Sequence, residues 1–300
     1  MLWPSAARRS VRPWRLVLGL MASNLAVAGD QSFFTTYTPQ MDDPGTLEIT
    51  TKAISGKPAG ERRFLGGATE FEYSANTWWT TELTLGARAG AIGQFSFTGY
   101  EWENRFRLLR HEHWTNPVLD VEFESLKGAD ETLLDEVSGH EGTGDLIQLN
   151  RDVERSSHEV EASLILGSSF KSWTIAENLI AEKDVGHSPF EFGYALGAIR
   201  GMAPAGHNGS CGFCLRNLQL GFEMYGGLGD WGDLGFHNTS HYFAPLVGWT
   251  LPNGIAFRVS PAFGLTRTSA PCLLRFDVSY SVDGFGRTAR KMFHGQPLAN

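Results

Sequence analysis

Gly254–Thr266 (GIAFRVSPAFGLT) and Leu273–Val282 (LLRFDVSYSV) decide the fold. In the first, Ile255, Phe257, Val259, Pro261, Phe263 and Leu265 put an apolar side chain at every odd position, while Ala256, Arg258, Ser260, Ala262, Gly264 and Thr266 are small or polar. In the second, Leu274, Phe276, Val278, Tyr280 and Val282 alternate with Arg275, Asp277, Ser279 and Ser281. A period of two means β-strands with one apolar face and one polar face. Strands of about ten residues or more, repeated along a chain, suit a barrel with lipid outside and a wet or charged lumen inside.

Working outward, the same pattern predicts about twelve strands. They lie near 45–54, 66–76, 78–89, 94–109, 117–126, 156–168, 172–183, 190–201, 214–228, 239–250, 254–265 and 273–282. No useful helical period interrupts them. The 35 glycines fit strand bends, and Trp78, Trp79, Trp102, Trp173 and Trp249 within strands fit interfacial girdles. The fold class expected is all-β, an antiparallel transmembrane β-barrel in one domain over 29–300, with a C-terminal tail over 283–300.

An export signal precedes it. Arg8, Arg9, Arg12 and Arg15 form a basic region, Leu16–Val27 is an apolar run too short to cross a bilayer as a helix, and Ala26-Val27-Ala28 has the form of a cleavage site. Residues 1–28 are therefore expected to be removed after Ala28. Taking those four arginines from 25 basic residues leaves 21 against 33 acidic ones. So acidic an exported chain argues against nucleic-acid binding.

The connections alternate in length, as a barrel requires. Asn76-Thr77, Ser168–Lys171 and Leu251–Asn253 are short turns expected on the periplasmic side, whereas Lys127–Arg155 and Gly229–Asn238 are expected outside. Met202–Gly212 is long for its side, and the loop between the third and fourth strands is short for its own.

Thr69–Leu85 (TEFEYSANTWWTTELTL), Gly99–Leu109 (GYEWENRFRLL), Pro117–Ser125 (PVLDVEFES), Glu159–Glu182 (EVEASLILGSSFKSWTIAENLIAE), Leu220–Gly226 (LGFEMYG) and Gly254–Tyr280 give the chain a family likeness. It resembles the bacterial outer-membrane barrels grouped with the meta-pathway of phenol degradation, a porin-like transporter family. The resemblance covers most of the chain and implies outer-membrane location and passage of hydrophobic or aromatic compounds. The Cys-containing stretch near 207–214 and the tail beyond the last strand depart from the pattern.

The polar faces nominate lumen residues: Glu101, Glu103, Arg105 and Arg107 on the fourth strand, Asp120, Glu122 and Glu124 on the fifth, Glu159 and Glu161 on the sixth. Glu191, Glu223, Arg258, Arg275 and Asp277 lie further round. Arg or Lys on the lipid face costs roughly 2–4 kcal/mol at the midplane, which argues that these side chains point inward. Arg105 and Arg107 are expected to pair with the fifth-strand acids. Two readings follow: a charged constriction that selects what passes, or an ion-pair network that fills the lumen and holds it shut.

Other chemistry is weakly signalled. Cys211 and Cys214 are expected to form a local disulfide in an oxidising compartment, leaving Cys272 unpaired. The acidic run within Lys127–Arg155 has the oxygen ligands of a Ca²⁺ site but no EF-hand spacing, so no metal site is assigned. His207 and Ser210 stand in a turn rather than on an outer wall, so no catalytic set is assigned and the protein is expected not to be an enzyme. The function expected is an outer-membrane porin-like channel for small compounds, without cofactor. Its partners would be outer-membrane lipid, the barrel-assembly machinery and small solutes. A closed structural or binding barrel is the alternative, and a lipid hydrolase a more distant one.

Overall fold

The computed structural model describes residues 33–57, 63–89, 95–111, 113–127, 156–170, 172–186, 189–202, 217–236 and 238–293. Its strands are β1 (Leu47–Gly56), β2 (Phe64–Asn76), β3 (Trp79–Ala89), β4 (Phe95–Arg107), β5 (Val118–Lys127), β6 (Ser156–Phe170) and β7 (Trp173–Asp184). They continue with β8 (Glu191–Gly201), β9 (Leu218–Asp230), the two-residue β10 (Asp233–Leu234), β11 (His241–Thr250), β12 (Ile255–Gly264) and β13 (Cys272–Val282). A short helix, α1 (Phe285–Phe293), follows. Twelve of these strands are long, and each matches a strand expected from the alternation.

Every pairing is antiparallel, and among the twelve long strands neighbours in sequence are neighbours in the sheet, the ring being closed at the seam where β1 pairs with β13 from Leu47↔Val282 to Gly56↔Leu273. The β8–β9 pairing completes the ring. β10 is a small arm that extends β9 through Asp233↔Asp230 and Leu234↔Gly229. A closed ring satisfies every strand edge internally, which is what a bilayer demands of a sheet.

The two faces sort by chemistry. Phe276, Val259, Phe222, Leu179, Val121 and Trp102 are exposed on the outer wall. Arg275, Ser260, Glu223, Asn178, Asp120 and Glu103 on the same strands are buried inside. An apolar belt this extensive on the outside of a polar-filled ring is inverted relative to a water-soluble protein, and it fits a membrane-spanning barrel. Among the described residues no helix is long and apolar enough to cross a membrane. Trp78, Trp114, Phe170 and Trp173 are exposed at the mouth with the short turns, and Phe97, Phe190, Trp231 and Phe236 at the other, forming two aromatic rims.

Two elements differ from the sequence reading. The expected tail over 283–300 begins with α1, whose first residue packs its ring edge-on against Tyr73 at 6.3 Å. The segment ahead of β1, for which the alternation predicts no strand, turns into the lumen. The export signal, the Cys211–Cys214 pair, His207, Ser210 and most of the 127–155 loop lie outside the described residues.

Candidate functional site

The lumen is built from three things: an inserted N-terminal segment, a row of glutamates, and a small number of guanidinium groups that tie them together.

Residues 33–46 run from mid-barrel to the short-turn mouth. Phe33 is only 2% exposed, and Phe34, Thr35, Thr36 and Thr38 are also buried. An irregular segment inside a barrel needs partners for its backbone, and the wall supplies them. Glu223 Oε1 accepts from the amides of Thr35 and Thr36 at 2.8 and 2.9 Å. Asn178 brackets Tyr37, its Oδ1 accepting from the Tyr37 amide at 2.6 Å and its Nδ2 donating to the Tyr37 carbonyl at 2.9 Å. Arg258 Nη1 donates to the Phe33 carbonyl at 3.0 Å and Lys52 Nζ to that of Phe34 at 3.4 Å. The rings are held by charge as well, because Arg258 and Arg275 stack over Phe34 at 5.7 and 4.8 Å, and Arg105 over Tyr37 at 5.2 Å. Room is made by two wall glycines. A Cβ on Gly197 would stand 2.7 Å from the Phe33 ring, and one on Gly167 would stand 2.6 Å from the Pro39 ring.

Around the wall, the register lines up acids. Glu48↔Glu72, Glu72↔Glu82, Glu82↔Glu103, Glu103↔Glu122, Glu122↔Glu161 and Glu161↔Glu182 are direct cross-strand partners. Seven buried glutamates therefore form one row across β1 to β7, and the half-exposed Glu191 and Asp230 continue it onto β8 and β9. Opposed residues sit about 5 Å apart, and like charges there are unfavourable. Two unit charges at that spacing repel by roughly 3 kcal/mol at an effective dielectric of about 20. Cations are therefore needed along the row.

The protein supplies few. Arg105 meets Glu72, Glu82 (3.5 Å) and Glu103 (2.7 Å). Lys52 meets Glu70 at 2.6 Å, Arg258 meets Asp277 at 2.8 Å, and Arg275 meets Glu223 at 2.8 Å. The pairing expected between Arg105 and the acids of β5 does not form. Arg105 lies across from Asp120 in register but reaches back over β3 toward three glutamates, leaving β5 as the acid-rich wall. Both carboxylate oxygens of Asp120 and one of Glu124 are buried without a hydrogen-bond partner among the described residues.

The residues nominated from sequence fall as follows. Glu101, Glu103, Arg105, Asp120, Glu122, Glu124, Glu159, Glu161, Arg258, Arg275 and Asp277 are all buried on the inner face. Arg107 is half-buried at the short-turn mouth, where with Pro39, Gln40, His111, His113, Asn116 and Ser169 it lines a cavity of about 220 Å³. Cys272 is free and exposed at the start of β13. Glu48, Lys52, Glu70, Glu72, Glu82, Asn178 and Glu182 were missed, although the same alternation applied to β1, β2, β3 and β7 marks them as inward.

Fold and lumen together define a membrane-spanning barrel occupied by its own N-terminal segment. No protein-family model matches the chain, and no curated protein matches it. Among solved structures it is similar to an outer membrane channel from Pseudomonas putida F1, at 12% identity and a TM-score of 0.48, covering 81% of this chain and 97% of that one. It is also similar to LpxR from Salmonella typhimurium (8% identity, TM-score 0.38, 78% and 99% covered). A third likeness is to outer membrane phospholipase A from Escherichia coli (8% identity, TM-score 0.40, 83% and 99% covered).

Proposed function

We propose that the protein is a porin-like channel of the outer membrane that passes small cations and cationic solutes along an acidic lumen narrowed by residues 33–46. The observation that carries this reading is the imbalance of buried charge: fourteen buried carboxylate residues against four buried Lys and Arg among the described residues. A pore wall of one sign concentrates counter-ions and excludes co-ions. Carboxylates, hydroxyls and guanidinium groups line the interior, so its chemistry fits hydrated cations better than the hydrophobic or aromatic compounds implied by the family resemblance.

The reading is one of passage rather than catalysis. His241, near the long-loop mouth, has both ring nitrogens engaged, by Tyr194 Oη at 3.0 Å and Thr239 Oγ1 at 2.7 Å, which leaves it poorly placed as a general base. A closed structural barrel is the second reading, favoured by the tightness with which Glu223 and Asn178 hold the plug.

Planar-bilayer recording of the purified protein under a KCl gradient separates them. Cation-selective openings that lose selectivity in Glu122→Gln and Glu124→Gln support the channel. Silence in the unmodified protein with openings in Glu223→Ala/Asn178→Ala supports a channel gated by its plug. Silence in both sinks the channel reading and leaves the closed barrel.

A further inference from the structure

We propose that Glu103, Asp120 and Glu122 hold a Ca²⁺ ion against the lumen wall between β4 and β5. Register alone brings the three together. Glu103 faces Glu122 directly across the β4–β5 ladder, and Asp120 lies two residues from Glu122 on the same face. One carboxylate oxygen from each residue falls within 4.8 Å of the other two. That span matches twice a Ca²⁺–oxygen bond of about 2.4 Å, so one ion can touch all three.

The second observation is Asp120 itself. It is 1% exposed, neither of its oxygens has a well-formed hydrogen bond among the described residues, and only the Val121 amide and the more distant Arg105 attract it. A buried carboxylate so weakly satisfied is costly unless a cation or proton joins it. The nearest basic side chain does not meet the need, because Arg105 is shared by Glu72, Glu82 and Glu103. Glu161 and Glu124 lie across from and beside Glu122, so the field at the cluster stays negative after Arg105 is counted.

An all-oxygen, all-carboxylate set selects a hard cation over zinc or copper. Ca²⁺ tolerates irregular geometry and takes further oxygens from water, whereas Mg²⁺ demands a near-ideal octahedron at shorter distance. The ion would join β4 to β5 and neutralise the densest stretch of the glutamate row. It would also sit beneath the plug, because the Tyr37 hydroxyl hydrogen-bonds Glu103. The proposal concerns a binding site and stands whether or not the lumen conducts.

The test is calorimetric titration of Ca²⁺ into the folded full chain in detergent, after removal of divalent ions with a chelator. One saturable equivalent is expected, with affinity at least tenfold lower in Asp120→Asn and Glu122→Gln and changed less than twofold in Glu48→Gln, a ladder glutamate three strands away. Absence of a saturable equivalent would overturn the site. So would an equal loss in all three variants, which signals a diffuse ion atmosphere. Should the site variants fail to fold, Tb³⁺ added to the unmodified barrel is expected to luminesce on tyrosine excitation and to lose most of that emission in Tyr37→Phe. Emission that Tyr37→Phe leaves unchanged would remove the ion from this place.

Discussion

Arg105 shows what a single side chain carries here. One guanidinium meets carboxylates from β2, β3 and β4 and also lies over the ring of Tyr37. Its planar fork suits several acids at once, as a lysine would not. Replacing it with Gln leaves three buried glutamates facing one another, and removal of one partner from a buried ion pair typically costs about 3–5 kcal/mol. Arg105→Gln is expected to lower the urea midpoint of the folded barrel in micelles markedly, while Arg105→Lys falls in between. Glu223 plays the matching part on the far wall. It is 0% exposed and serves two plug amides and Arg275 together. Glu223→Ala is expected to expose residues 33–38 to added protease while the barrel still migrates as a folded species when unheated; a protected plug would refute the role given to this carboxylate.

At the scale of elements, the strands were legible because period-two alternation is a direct consequence of the pleat, and lipid outside makes it unusually clean. Arg258, Arg275 and Asp277 could be placed inward from that pattern alone. The glutamate row was only half legible. Its members on β4, β5 and β6 stand out as acid runs, but Glu48 and Glu82 are single acids in otherwise ordinary strands, and Glu182 shares β7 only with the acids Glu177 and Asp184. Only the pairing register reveals that they are neighbours. Whether Arg105 turns toward β3 or β5 is likewise a choice of side-chain direction that sequence does not encode. The plug was illegible for a different reason. Phe33–Thr38 has no period to mark it, and its partners Asn178, Glu223 and Arg258 lie 141 to 225 residues away. One expectation belongs to this scale. Gly197→Leu, on the inner face of β8, should drive Phe33 from its seat and raise single-channel conductance without weakening the sheet. Unchanged conductance with intact folding would mean that the plug does not limit the pore.

For the whole molecule, the arrangement is an apolar exterior and an acidic interior into which residues 33–46 fold. If the interior charge governs passage, selectivity should be strong at low ionic strength and fade near 1 M salt, where the screening length shrinks from about 30 Å to about 3 Å. Reversal potentials across a series of KCl gradients check this, and selectivity indifferent to salt would point to size rather than charge. The seam adds something concerning time rather than equilibrium. β1 precedes the other strands of the ring and must wait for β13 before the ring can shut. The plug waits longest, since its anchors lie on β9, β12 and β13. Contacts so distant along the chain are slow to form. The α1 amide of Gly286 donates to the Gly45 carbonyl, so the segment after β13 closes over the mouth where residues 33–46 lead into β1. Maturation of this barrel is therefore expected to proceed in two kinetic stages, a sheet that rolls up and a slower locking of residues 33–46 inside it.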